Sequence, residues 1–164
     1  MKAIVAVDKC WGIGKKNDLL FSIPEDMKFF REKTKGKTVC MGYNTLLSFP
    51  ESKPLKNRVN VVLAPDGVER DDCIIVHTLE DLSKELAKYD DVFVIGGAMF
   101  YKTMLPYCSE VYVTKVNADG GAEVFYPNLD ANPDFEMVYS SEPIISNGLE
   151  IRFTTFKNNN VQKF

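Results

Sequence analysis

The stretch Val92-Phe93-Val94-Ile95-Gly96-Gly97-Ala98-Met99-Phe100-Tyr101 decides the fold. Its first four residues are apolar without alternation, which fits a strand covered on both faces, as in a parallel sheet flanked by helices. Two glycines end the run, and Ala98 to Leu105 then reads as a short helix that stops before Pro106. Glycines at such a junction let the backbone approach a ligand closely, and the helix start offers unpaired N–H groups to phosphate. A glycine pair at a strand end is also an ordinary tight turn. The full G-x-G-x-x-G fingerprint is absent, because Gly12-Ile13-Gly14 is followed by Lys15, Lys16 and Asn17.

Outward from that unit the same grammar repeats. Ile4 to Val7, Thr38 to Met41, Val59 to Leu63, Ile74 to Val76 and Val111 to Val116 read as further strands, most of them continuous apolar runs. Ser22-Ile23-Pro24-Glu25 has the form of a capping box with proline in the first turn, opening a helix to about Thr34. Leu79, Leu82 and Leu86 give Leu79 to Tyr89 an amphipathic spacing. Toward the C-terminus, Glu136 to Ser140 and Leu149 to Phe156 alternate apolar with polar around the turn signal Ser146-Asn147-Gly148. The expected fold is α/β: a mixed, mostly parallel eight-stranded sheet with flanking helices and a closing antiparallel hairpin. No linker or repeat divides residues 1–164, so one domain is expected.

Composition removes several function classes. With 45% apolar and 26% charged residues, the chain has the make-up of a globular protein rather than a disordered one. No apolar run approaches the ~18–20 residues of a membrane helix, and Met1-Lys2 leads into the first strand without a signal-peptide pattern. A cytoplasmic address and no membrane partner are the expectation. A net charge of −3 argues against nucleic acid as a partner. Cys10, Cys40, Cys73 and Cys108 are scattered and accompany one histidine, which suits buried free thiols better than a metal centre. No metal is expected.

Two side chains carry the most chemical information. In the helix opened by Pro24, Asp26 shares a face with Phe29 and Phe30, with Met27 on the neighbouring surface. A carboxyl beside apolar surface has its pKa raised by desolvation, which makes it a usable proton source near neutrality. The competing reading is a solvated acid at a helix start, and Glu25 stands next to it. Arg58, at the head of the Val59 to Leu63 strand, can grip a carboxylate in a bidentate fork or be an ordinary surface charge. His77 has no Cys or Ser partner in sequence, so nucleophilic catalysis finds no candidate.

Taken in order, the pieces resemble one family. Ile4-Val5-Ala6-Val7, Gly12-Ile13-Gly14-Lys15, Asp18-Leu19, Ile23-Pro24-Glu25-Asp26 and Phe29-Phe30 resemble the opening of the dihydrofolate reductases. Met41-Gly42 with Thr45, Pro54-Leu55, Arg58-Val59-Asn60, Val94-Ile95-Gly96-Gly97, Tyr101, Leu105-Pro106, the Thr114 strand and Tyr126-Pro127 continue the likeness. The ordered set spans nearly the whole chain, and it is the order that makes it specific.

The resemblance implies an oxidoreductase that reduces 7,8-dihydrofolate to 5,6,7,8-tetrahydrofolate with hydride from NADPH, feeding one-carbon metabolism as a monomer. It implies that Asp26 supports protonation of pterin N5, that Thr114 shares a water-bridged network with it, and that Leu19 and Phe21 complete the catalytic set. Ile4, Val5, Ala6, Met27, Phe30, Phe49, Leu55 and Ile95 would wall the substrate pocket, with Arg58 on the tail carboxylate. Ala6, Ile13, Gly14 and Asn17 would meet the nicotinamide, the last three from a mobile loop. Gly42, Tyr43, Asn44, Thr45, Leu63, Ala64, Pro65 and His77 would hold the rest of the cofactor. Gly96, Gly97, Ala98, Met99 and Phe100 would let it approach the backbone, with Ile95 and Tyr101 beside the nicotinamide.

The departures from the family pattern are as informative. Leu19-Leu20-Phe21 replaces the usual Leu-Pro-Trp, losing a proline and an indole N–H. Tyr43-Asn44 and Ala64-Pro65 stand where the family usually places basic and hydroxyl partners of the cofactor's 2′-phosphate, so NADPH is expected to be favoured over NADH less strongly than usual. His77 lies near another position used for that phosphate. Ala122-Glu123 replaces a common Gly-Asp pair that holds the mobile loop. Two alternatives stay open at this point: a riboflavin-pathway-type pyrimidine reductase on the same fold, and a silent ligand-binding module.

Overall fold

The continuous apolar runs become the centre of one sheet. The computed structural model describes residues 1–16 and 18–164, and Asn17, expected at the nicotinamide loop, lies outside the described residues. In chain order the elements are β1 (Lys2–Val7), β2 (Gly12–Gly14), α1 (Pro24–Thr34), β3 (Thr38–Gly42), α2 (Tyr43–Ser48), β4 (Val59–Leu63), β5 (Ile74–Val76) and α3 (Leu79–Leu86). Then follow β6 (Val92–Val94), α4 (Ala98–Met104), β7 (Glu110–Val116), β8 (Val124–Phe125), β9 (Phe135–Ser140), β10 (Ile144–Ser146) and β11 (Leu149–Asn158).

Eight strands form the path β10-β11-β7-β1-β6-β3-β4-β5, and β9 adds itself to the outer edge of β11 beside β10. From β7 to β5 all pairings are parallel, while β11 runs antiparallel to β7. The α/β expectation therefore holds, with β9 a ninth strand at the antiparallel end. The Asn147-Gly148 turn, with both residues at positive φ, joins β10 to β11 and not β9 to β11. The three-residue β10 was too short to show in the sequence pattern.

Alternation along each strand sorts its side chains between two layers. Ala3, Val5, Val7 and Cys40 face a core shared with Leu82 and Leu86 of α3 and Phe100, Tyr101 and Met104 of α4. Ile4, Val39, Met41 and Phe93 face the opposite core, with Leu46 of α2 and Phe29 and Phe30 of α1. The second layer carries Asp26, which α1 lays over the β1–β7 side of the sheet.

Helix α1 begins at Pro24 as expected, but the capping box does not form. Ile23 occupies the cap position without a side-chain bond, and Glu25 instead accepts the hydroxyl of Ser146 from the β10–β11 hairpin. A long-range partner outcompetes the local one, and it ties the start of α1 to the antiparallel end of the sheet. True side-chain capping occurs at α3, where the Thr78 hydroxyl accepts the Asp81 N–H at 3.0 Å.

Candidate active site

The β1–β7 register sets Thr114 beside Ala6 on the face that carries Ile4. There the buried Thr114 hydroxyl donates to Asp26 Oδ1 at 2.6 Å. The contact is direct, without the water expected from sequence, because the first turn of α1 lies close over β7. Burial lifts the Asp26 carboxyl above the ordinary carboxylate range, and the Thr114 bond draws it only partly back. Asp26 is thus the half-buried acid read from sequence, and Glu25 next to it is spent on Ser146.

Apolar side chains gather on the same face of the sheet as this acid. Ile4, Phe30, Phe49, Leu55 and Ile95 come together in one cluster from five separate chain segments. Val5 does not join them, since its side chain packs in the opposite core, so only its backbone can border the pocket. Met27 is half exposed at the surface of α1. Phe21 packs against Ile23, Val116 and Ile151 and reaches the turn at Gly120, where it has no N–H to donate. Leu19 is 75% exposed, so its side chain is free to move onto a ligand.

Arg58 closes the far end. Its guanidinium lies 5.8 Å over the Phe30 ring, and its buried Nε has no hydrogen-bond partner among the described residues. Burial first, and the nearby Arg31 second, lower its pKa from the usual value. An unpartnered, partly desolvated guanidinium is what a carboxylate would satisfy. The loop before it is fixed by Asn60, whose carboxamide accepts the Leu55 N–H at 3.0 Å and donates to the Leu55 and Arg58 carbonyls at 2.9 and 3.2 Å. Sequence reading quoted Asn60 but gave it no role. Its buried place at the second position of β4, facing back to a proline-containing loop, was the available signal.

At the carboxyl ends of the parallel strands lies the second half of the site. The Ile95 N–H bonds to the Cys40 carbonyl and the Gly42 N–H to the Gly96 carbonyl, so β3 and β6 stay paired up to the glycines. Gly96 sits at φ +135°, and a Cβ there would meet Thr45 Oγ1 at 3.2 Å. The glycines therefore let the starts of α2 and α4 close up on each other. Tyr101 is buried behind them and donates its hydroxyl to the Ile4 carbonyl at 2.7 Å, while burial and the charge of Asp26 push its phenol pKa up. Phe100 is buried in the core, so its side chain is withheld from any ligand, and Met99 points into solvent. Ala98 is half-buried at the start of α4.

Beyond the glycines a cavity of about 450 Å³ is lined by Tyr43, Asn44, Leu63, Ala64, Pro65, His77, Thr78 and Leu79. Six of these were expected from sequence, whereas Thr78 and Leu79 were missed as the start of an unrelated helix. The cavity lies outside the carboxyl ends of β3, β4 and β5, and the carboxyl ends of parallel strands are the usual ligand position in open α/β sheets.

A loop borders the opposite side. Asp8 accepts the N–H groups of Cys10, Gly12 and Gly120 at 2.9, 2.7 and 3.0 Å. Ile13 packs against the β1 core, and Gly14 has Val124 close above it. The carboxylate of Glu123 accepts the Lys16 N–H at 2.7 Å, and its own N–H donates to the Gly14 carbonyl. Ala122 covers Gly12 so closely that a Cβ on Gly12 would stand 2.3 Å from it. The Ala122-Glu123 pair thus still ties the loop down, Glu123 reaching with one methylene more than aspartate has.

The dihydrofolate reductase family model matches residues 1–158. The chain belongs to the dihydrofolate reductase family. It is 34% identical over 141 residues to the dihydrofolate reductase of Bacillus subtilis (strain 168), covering 85% of this chain and 82% of that protein. Identity to the dihydrofolate reductase of Staphylococcus haemolyticus is 34% over 125 residues, 76% of this chain and 74% of that one. Among solved structures, the dihydrofolate reductase from Enterococcus faecalis, complexed with NADP(H) and RAB-propyl, superposes with a TM-score of 0.83 at 29% identity. That match covers 96% of this chain and 95% of the other. Family membership does not favour the pyrimidine-reductase or silent-module alternatives. No described helix is long and apolar enough to cross a membrane.

Proposed function

We propose that the 164-residue chain works as one dihydrofolate-reductase-like domain, a cytoplasmic monomer that reduces 7,8-dihydrofolate to 5,6,7,8-tetrahydrofolate with NADPH. The observation that carries this reading is the Asp26–Thr114 pair beneath an apolar cluster that ends at the unpartnered Arg58 Nε. NADPH, when bound, supplies the hydride. The glycine-lined approach at Gly96, the Gly14 side of the loop and the cavity at Tyr43, Asn44, Ala64 and His77 fit an extended dinucleotide.

The chain's own residues do three things. Asp26 holds its proton to higher pH than an ordinary carboxyl because its anion is poorly solvated, and it makes that proton available at the pterin N5 side. Thr114 fixes which carboxylate oxygen is free, since its hydroxyl occupies Oδ1. Ile4, Phe30, Phe49, Leu55 and Ile95 exclude water and hold a flat heterocycle in line, and alignment can supply several kcal/mol of a hydride-transfer barrier. Arg58 fixes the far end of the substrate through its tail carboxylate.

The test follows loss of reduced-nicotinamide absorbance with purified protein and dihydrofolate, with NADPH and NADH in parallel. Oxidation that depends on dihydrofolate and prefers NADPH is the expected result. Absence of oxidation with both cofactors would overturn the assignment.

A further inference from the structure

Among the described residues, the cavity at the ends of β4 and β5 contains one basic side chain, His77, and both of its ring nitrogens are already engaged. Nδ1 faces the carbonyls of Ala64 at 3.1 Å and Pro65 at 3.0 Å, and Nε2 faces Glu69 Oε1 at 3.3 Å. No lysine or arginine lines the cavity among the described residues. The neighbouring Arg70 is also taken, by Asp72 through Nε and Nη2 at 2.9 and 2.6 Å and by the Ser52 carbonyl at 2.7 Å. Acceptors at both nitrogens leave the imidazole with no N–H to offer a ligand.

We propose that Glu69 sets cofactor choice through His77: by holding Nε2 it leaves the pocket, among the described residues, without a free basic side chain for a 2′-phosphate, so the chain discriminates weakly between NADPH and NADH. The proposal rests on reading this cavity as the adenosine end of the cofactor site. It also answers how His77 behaves in a pocket that lacks the family's usual phosphate partners: the histidine is present and Glu69 occupies it. Glu69 is 81% exposed on its side-chain atoms and His77 25%, so the pair can be opened without disturbing the core. His77 gains its raised pKa first from the Ala64 carbonyl and then from Glu69, and an imidazolium released from Glu69 would remain a donor to phosphate.

The test needs no turnover. Binding of 2′,5′-ADP and of 5′-AMP is measured by calorimetry at low salt for the wild type, Glu69→Ala, His77→Gln and the double variant, with Glu142→Ala as a charge control. The ratio of the two affinities should rise about tenfold in Glu69→Ala, the scale of one charge-assisted hydrogen bond. It should stay within about threefold of the wild type in His77→Gln, because the imidazole is already occupied, and the Glu69→Ala gain should shrink to less than about threefold in the His77→Gln background. A ratio unchanged by Glu69→Ala, or matched by Glu142→Ala, would overturn the proposal while leaving the cavity a nucleotide site. A full gain in the double variant would show Glu69 repelling the phosphate directly, and would overturn the role of His77. Failure of both nucleotides to bind the wild type would overturn the reading of the cavity itself.

Discussion

Thr114 donates its hydroxyl to Asp26 Oδ1 at 2.6 Å across the gap between β7 and α1. The bond acts against the burial that raises the Asp26 pKa. Thr114→Val removes the donor and keeps the shape, so the carboxyl should titrate at still higher pH. The limb of the kcat/KM–pH profile that reports Asp26 should move to the alkaline side, with a rate loss at neutrality of roughly tenfold or less. A profile that keeps its midpoint would sever Thr114 from the acid.

Asp26→Asn keeps the acceptor for Thr114 and removes the proton source. Dihydrofolate reduction at pH 7 should fall by about 10²–10⁴-fold, the usual scale of a lost general acid, and recover in part at low pH where solvent protonates the substrate. Stability should move the other way. Folding raises this carboxyl's pKa, so the native state binds its proton more tightly than the unfolded chain does. The ionised form therefore opposes folding above the folded pKa, and the penalty vanishes as pH falls to the ordinary carboxylate range. Asp26→Asn should accordingly melt higher than the wild type at pH 7, and the gap should narrow in acid. Neutral-pH activity left intact would refute the catalytic role; an equal or lower Tm would refute the burial argument.

Arg58→Leu should weaken dihydrofolate binding by roughly 10- to 150-fold, the range for hydrogen bonds to a charged group, and leave NADPH affinity within a factor of a few. Comparable losses for both ligands would count against the carboxylate clamp.

The same clamp depends on Asn60, whose carboxamide holds Leu55 and Arg58. Asn60→Asp keeps the acceptor for the Leu55 N–H but turns a carboxylate oxygen toward two carbonyls. We expect a loss of stability of about 1–3 kcal/mol by denaturant unfolding, with KM for dihydrofolate raised more than kcat is lowered. An unaltered KM in a folded Asn60→Asp variant would show that Arg58 finds its place without the loop contact.

What the sequence displayed and what it hid follow from the range of each interaction. Val59 to Leu63 and Ile74 to Val76 emerge with the expected bounds, because runs of β-branched and apolar residues, broken only by Asn60, mark them as strands. Asp26 was readable because helical spacing alone puts it beside Phe29 and Phe30. The failures are long-range. Ser22 and Glu25 look like a local capping box, yet Glu25 prefers Ser146, 121 positions away in sequence. Val5 reads as a pocket wall until the pleat assigns its side chain to the other layer. Glu69 carries no local signal, since only the fold of the Pro65–Ile74 connection brings it to His77.

Glu123 offers the last test, because two bonds run between it and the loop it faces. Its carboxylate accepts the Lys16 N–H at 2.7 Å, and its N–H donates to the Gly14 carbonyl at 2.8 Å. The backbone bond survives any substitution, so the side chain's share can be isolated. Glu123→Gln retains length and a carbonyl acceptor, whereas Glu123→Ala abandons the Lys16 N–H to water. The contact is exposed, which places it at the weak end of charge-assisted bonds, ~1.5 kcal/mol or about tenfold in a closing equilibrium. If loop closure precedes hydride delivery, single-turnover hydride transfer should slow about tenfold in Glu123→Ala and less than threefold in Glu123→Gln. Dihydrofolate affinity in the absence of cofactor should hold steady in both, because Asp26, Phe30 and Arg58 lie on other elements. Equal rates in the two variants would mean that the loop is held by its backbone bond and by the Ala122–Gly12 contact, with the carboxylate a bystander.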